Sequence, residues 1–190
     1  LKNISGKSDV ELYDLNMRSL IYIGYNTEKQ RYTMEKEIMH DSLWPSINLN
    51  KISNSLYFGN SLVPFNKGLY FKWDELTSTK EWIPYYPMTK KKYDEDITHL
   101  YRNSILANGE KGIVVCALTC FNRIVAFDLD GNILKDIQIG KEVVEPVMED
   151  FERLKFSDGT EMFFFDVVGT ENYFYCLWNR SEIGIDVDQR

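Results

Sequence analysis

Histidine is almost absent from this chain: there are two in 190 residues, His40 and His99. Neither falls in His-x-x-x-His spacing or beside a cysteine pair, so no metal centre built on imidazoles is expected. The three cysteines, Cys116, Cys120 and Cys176, are too few for a disulfide framework. Cys116 and Cys120 share strand parity in "VVCALTC" and lie too far apart along an extended strand to bridge, while Cys176 reaches one of them only across strands. All three read as small buried hydrophobes, which leaves the redox compartment open.

Positive charge is also scarce, with 22 Lys and Arg against 29 Asp and Glu and a net charge of -7. Nucleic acid is therefore not an expected partner, because neutralising phosphates needs a surplus of Lys and Arg on one face. The one basic run, Lys90-Lys91-Lys92, is answered at once by Asp94-Glu95-Asp96 and reads as a solvated loop. No apolar run approaches the length of about 20 residues that a membrane span requires. The chain opens "LKNISGKSDV" without Met or an apolar leader core, so the expectation is that earlier residues of the gene product, and any targeting segment, precede it.

Catalytic signatures are missing too. There is no Gly-x-Ser-x-Gly elbow and no histidine beside Cys116 or Cys120 in sequence, which gives nucleophilic catalysis no support. Without a Gly-x-Gly-x-x-Gly or Walker loop, nucleotide chemistry and a nucleotide cofactor are not expected. Acidic pairs such as Glu149-Asp150 and Asp94 with Asp96 sit in polar stretches. Glycosidase-like use would require such pairs to face each other across a pocket.

What the sequence does have is alternation. Hydrophobic residues make up 44% and aromatic residues 14%, which excludes a disordered chain and favours an aromatic-rich packed fold. Period-two runs recur: "DVELYDLN", "SLIYIGY", "RYTMEKEI", "INLNKIS", "SLYFGN", "GLYFKWDEL", "EWIPYYP", "LYRNSILAN", "GIVVCAL", "RIVAFDL", "ILKDIQI", "MFFFDVVGT" and "YFYCLWN". Each is a strand prediction. Residues 141–153, "KEVVEPVMEDFER", are read as room for one short helical turn, limited by Pro146.

The run "RIVAFDLDGNILKDIQIG" poses a sharper question, because Asp128-Leu129-Asp130-Gly131-Asn132 resembles the start of a calcium loop. Gly stands at the fourth position instead of the sixth, and no Glu stands at the twelfth. Flanked by alternating strands, the Asp-Gly pair predicts a hairpin turn in which Gly takes a positive φ.

The strands repeat in order. "SLYFGN…GLYFKWDEL…EWIPYYP" matches "GIVVCAL…RIVAFDLDG…ILKDIQIG" by pattern, and "VELYDLN…SLIYIGY…RYTMEKEI" fits the same order. Units of roughly fifty residues with four antiparallel strands predict an all-β fold, a β-propeller, of which the chain covers about thirteen strands, or a little over three blades. The expected organisation is one domain over residues 1–190, truncated within a blade at both ends. The first unit lacks its inner strand, and the last stops at "SEIGIDVDQR".

The motifs "NSLYFGNSL", "HLYRNSILANGEKGIVVCA", "RIVAFDLDGNILKDI" and "YFYCLWN" together resemble the TolB-like six-bladed propeller proteins of Bacteroidetes, from about Asp9 to Trp178. The resemblance implies an exported, often lipid-anchored envelope protein, periplasmic or associated with the outer membrane, whose activity is generally unassigned. It carries over no catalytic residue. The chain departs from the family in lacking a leader, a lipobox cysteine and the final blades.

The expected function is accordingly a binding module or scaffold of the envelope, for a protein, peptide or glycan, read as a non-enzyme in preference to an enzyme. Candidate ligand contacts flank the inner strands: His99, Tyr101, Arg102 and Asp166. Arg102 and Asp166 would supply charge-assisted hydrogen bonds and Tyr101 a stacking face. Ordinary hydrogen bonding between blades is the competing reading for each of them. The tryptophans and Tyr85-Tyr86 could stack on sugar rings, although aromatic residues at alternating strand positions more often form inter-blade core. Two alternatives stay open: a metal-dependent lyase or hydrolase with its site in the channel, and self-association through an open blade edge.

Overall fold

A computed structural model describes residues 10–43, 46–65, 68–85, 103–108, 111–142, 144, 146, 148–150, 155–170 and 172–182. These residues form an all-β structure of several antiparallel sheets, and the one helical element among them is a 3-10 turn at Asp41–Leu43. The first sheet joins β1 (Val10–Asp14), β2 (Ser19–Asn26) and β3 (Arg31–Met39) in chain order. The second is a meander of β4 (Ser46–Lys51), β5 (Leu56–Phe65), β6 (Gly68–Asp74) and β7 (Thr79–Ile83). The third repeats it with β8 (Asn103–Asn108), β9 (Ile113–Leu118), β10 (Arg123–Asp128) and β11 (Ile133–Gln138). Two pairs follow: β12 (Met148–Asp150) with β13 (Lys155–Phe156), and β14 (Glu161–Gly169) with β15 (Phe174–Glu182).

One expectation fails within residues 141–153. Met148–Asp150 is a strand paired with Lys155–Phe156, and the described part of this segment contains no helical turn. Pro146 is buried, and the flanking Val144 packs against the apolar core. Proline removes a backbone donor, and tertiary contacts of this kind override the weak helical pattern that remains.

The hairpins are closed by one recurring device. At the end of β1, Asp14 Oδ1 accepts from the backbone N–H groups of Asn16 and Met17 at 2.8 and 2.9 Å. Asp74 Oδ1 does the same for Leu76 and Thr77 after β6, at 2.8 and 3.0 Å, and Asn26 Oδ1 accepts from Lys29 N–H at 2.9 Å after β2. A left-handed residue then returns the chain: Arg18, Gln30 and Ser78 have φ of 55, 48 and 54°. After β10, Asp128 accepts from Asp130 and Asn132 N–H, and Gly131 takes φ of 92°. The Asp-Gly motif is thus a hairpin turn. Asx side chains satisfy turn donors that would otherwise point at water.

Face alternation explains why the sheets stack in chain order. The first and second sheets meet through Leu20 on one side and Tyr57, Phe71 and Trp73 on the other, with Leu43 from the 3-10 turn. The opposite face of the second sheet presents Phe58, Tyr70 and Ile83 to Val114, Cys116, Leu118, Val125 and Phe127 of the third. Alternate residues of β9, Val115 and Ala117, turn the other way onto Phe163, Phe164 and Val167 of β14. This is why "IVVCAL" is apolar without interruption: both of its faces are covered. The outer strand β11 is largely exposed and carries Lys135 and Asp136, charges that discourage edge-to-edge pairing. At the other side of the sheets, β4 lies beside β8, and β8 beside β14.

Candidate functional site

Most polar side chains buried by this stack find partners. Among the described residues, Asn60 Nδ2, Tyr70 Oη and Arg123 Nε are buried without a hydrogen-bond partner. Tyr70 and Asn60 sit opposite each other in the β5–β6 register, and Arg123 opens β10. Tyr70 belongs to the apolar layer between the second and third sheets, and Arg123 reaches the polar margin of that layer.

The Tyr70 ring is fully buried, lies edge-on to Phe127 at 5.3 Å and stacks on Tyr85 at 5.9 Å between centroids. Tyr85 follows β7 and donates through its hydroxyl to Asp136 Oδ2 at 3.3 Å. Asp136 Oδ1 in turn lies 3.5 Å from Arg123 Nε, an ion pair without hydrogen-bond geometry. The cross-strand partner of Asp136 is Val125, two residues from Arg123, so the pair is a diagonal contact of one hairpin. Asp136 and Arg123 keep 30% and 14% of their side chains exposed, at the margin of the layer that buries Tyr70.

Burial sets the protonation of this group. The phenols of Tyr70 and Tyr85 are held well above the ordinary tyrosine range, chiefly because ionising them in the layer would strand a charge away from water. The Cys116 thiol is pushed up for the same reason, which favours its protonated form.

Two other clusters stand apart. Between the first and second sheets, the hydroxyls of Tyr22 and Tyr57 share Glu75, while Lys51 pairs with Glu11 at 2.7 Å and lies over both tyrosine rings. Every group there is partnered, and the cluster ties the two sheets together. Lys80 on β7 lies 4.1 Å from the centroid of Phe71 and donates to Ser46 Oγ at 3.4 Å. Burial lowers its pKa to about 8.

Of the residues singled out in sequence, His99, Tyr101 and Arg102 lie outside the described residues. Asp166 is exposed on β14, where its Oδ1 accepts from Val167 N–H at 2.8 Å at a register shift opposite Leu177. Beside it on the outward side of the β14–β15 pair lie the exposed Val168, Tyr175 and Leu177. His40 lies in the connection between β3 and the 3-10 turn, edge-on to Trp73 at 5.0 Å. Cys116 and Cys120 are buried, Cys176 is half-buried, and all three are free thiols. Among the described residues no three His, Cys, Asp or Glu gather as metal ligands. No helix among them is long and apolar enough to cross a membrane.

Sequence reading passed over Asn60, Tyr70, Arg123 and Asp136. Arg123 and Asp136 are the charges of a hairpin whose turn was read correctly, so their diagonal contact was within reach once the register was assigned. Nothing in the sequence announces that Tyr70 and Asn60 end without partners.

No protein-family model matches the sequence, and no curated protein is similar to it. Among solved structures, the chain is similar to a member of the DUF4221 family from Bacteroides vulgatus, with 19% identity and a TM-score of 0.46. The likeness covers 72% of this chain and 42% of that one, so the chain spans less than half the length of the protein it matches. At this similarity the family and activity of the chain rest on its own residues.

Proposed function

We propose that the chain is a segment of a six-bladed, TolB-like β-propeller that serves as a binding module or scaffold of the cell envelope for a protein, peptide or glycan. The observation that carries this reading is the succession of first strands: β4 lies beside β8 and β8 beside β14, while their sheets pack face to face in chain order. Antiparallel sheets arranged radially bring their first strands together at an axis and let the outer strands diverge. Asp166, on one of those strands, is the described candidate contact, with His99, Tyr101 and Arg102 expected from the stretch that leads into β8. Export to the envelope is supported by the resemblance of the strand motifs.

Asp166→Ala tests the reading on the whole chain, by binding to arrayed glycans and to envelope proteins alongside a melting curve. Loss of binding by tenfold or more, about 1.4 kcal/mol, with an unchanged Tm supports a ligand contact at β14. Full binding by the folded variant removes Asp166 from the site. Stoichiometric divalent metal in the purified protein, together with lyase or hydrolase turnover, would replace the binding module by the channel enzyme.

A further inference from the structure

Three interfaces in this stack follow one rule: the forward face of a sheet, turned toward the next in the chain, is covered by the rear face of that next sheet. The first sheet meets the second through Leu20, the second meets the third through Phe58, and β9 meets β14 through Val115. Side chains alternate between the two faces of a strand, so among the described residues two faces are left over, one at each end of the stack.

At one end, Val167 and Cys176 pack toward the third sheet, so Val168 and Tyr175, paired in register, turn away from it, as does Leu177 opposite Asp166. Val168, Tyr175 and Leu177 are exposed, and Tyr173 adds a ring 6.3 Å from that of Tyr175. At the other end, Leu20 and Tyr22 turn to the second sheet, so Ile21 and Ile23 turn away, with Leu12 opposite Ile21 and Met34 opposite Ile23. Leu12 and Met34 are exposed, as is Tyr32, which lies edge-on to Tyr25 at 5.2 Å. Exposed apolar side chains gathered on one face, unlike scattered single ones, mark an interaction surface.

The two faces are complementary in kind. The uncovered forward face carries aliphatic and aromatic side chains, as does the forward face of the second sheet that is covered inside the chain, and the uncovered rear face is a three-stranded apolar surface. Each copy thus has one face of each sort. We propose that the forward face of β14–β15 in one copy stacks on the rear face of β1–β3 in a second copy, continuing between molecules the face-to-face packing within one. A contact between two different faces closes into a ring when the rotation fits and otherwise grows head to tail. Asp166 and Glu37, carboxylates on these faces, already accept from Val167 N–H and Ser19 Oγ. The inference extends the sheet stacking behind the proposed propeller, but its readout is molecular mass without any ligand, so the two readings fail separately.

The test is sedimentation velocity of the whole chain over a concentration series, for the wild type, Leu177→Asp, Met34→Asp and an equimolar mixture of the two variants. The wild type is expected to sediment at twice its 22.4 kDa or more. A carboxylate placed in either apolar face should weaken association by roughly tenfold or more, so each variant alone shifts toward monomer. The mixture should regain a two-chain species, because Leu177→Asp keeps its rear face and Met34→Asp keeps its forward face. Only a contact between two different faces restores association in this way.

A wild type that is monomeric at every concentration overturns the proposal and leaves these faces to further sheets of a longer polypeptide or to a different protein. Association that survives both substitutions also overturns it and places the contact at a strand edge. A mixture no heavier than the separate variants, or a Met34→Asp variant that alone keeps the wild-type mass, rules out the pairing of forward with rear face. Both substituted side chains are exposed, so each variant is expected to keep a cooperative melting transition. Should one fail to fold, Tyr175→Ser and Leu12→Ser on the same two faces carry the same comparison.

Discussion

Tyr22 and Tyr57 meet hydroxyl to hydroxyl at 3.1 Å across the first and second sheets, and Glu75 Oε2 lies 3.1 Å from one and 3.4 Å from the other. The carboxylate satisfies two phenols that burial holds in the protonated form, with Tyr22 pushed up to about 12. Removing the more buried partner leaves the other two groups short of a bond. Tyr57→Phe is expected to cost about 1–3 kcal/mol, read from urea unfolding. Combined with Tyr22→Phe, it should show non-additivity, because the two share an acceptor. Strict additivity would mean that the hydroxyls do not communicate.

Gln30 has φ of 48° in the turn between β2 and β3 and is exposed. A side chain in the left-handed region crowds its own backbone, and glycine does not. Gln30→Gly should therefore stabilise the fold by about 0.5–1 kcal/mol. Gly131→Ala, at φ of 92°, should destabilise it. Equal effects from both substitutions would refute the turn assignment.

Asp128 is held below the usual carboxylate range, first by the Asn132 side chain and then by backbone donors of the turn. A carboxyl group with a lowered folded pKa contributes stability above its unfolded value of about 3.9, and the contribution is lost as pH falls through the folded value. Asp128→Asn keeps a turn acceptor, as Asn26 does after β2, and cannot titrate. The variant should lose less stability than the wild type between about pH 4 and pH 2. Parallel acid curves for the two proteins would remove Asp128 from the titration.

Lys80 carries the opposite sign. Burial lowers its pKa to about 8, although the faces of Phe71 and Trp82 favour the cation. The unfolded chain, with a lysine pKa of about 10.4, binds more protons above the folded value, so the penalty for burying the cation fades as pH rises from about 8 to 10. Lys80 is half-buried, and the gain over that interval is expected to be about 1–2 kcal/mol after allowing for solvent screening. Lys80→Met should flatten the alkaline limb of a stability-versus-pH curve. A variant with the same slope as the wild type would show that another group titrates there.

Phe127 touches Phe58, Tyr70 and Tyr85 at once and is fully buried. Phe127→Ala is expected to cost about 3–5 kcal/mol by opening a cavity between the second and third sheets. Differential scanning calorimetry reads this directly. A cost near 1 kcal/mol would mean that these sheets do not share a tightly packed layer.

Strands and turns were legible because their causes are local. Alternation in "GLYFKWD" and the unbroken "IVVCAL" follow from how many faces of each strand are covered, and both segments form strands in the structure. The turn at Asp128 was legible because a short acceptor at the strand end and a glycine three residues later are its mechanism. The segment around Pro146 was misread, since its strand pairing is made with residues beyond it and not by its own pattern.

By itself, then, the sequence determined an all-β chain of antiparallel hairpins, poor in histidine and without surplus positive charge, because periodicity, turn chemistry and composition act over a few neighbouring residues. Only the tertiary structure decided that Tyr85 reaches Asp136, 51 positions away, and that Tyr22 finds Glu75, 53 away. It alone left Tyr70 and Asn60 buried without partners. Those facts depend on which face meets which across two sheets, and that pairing is set by the packing of whole layers rather than by any residue's neighbours in the chain.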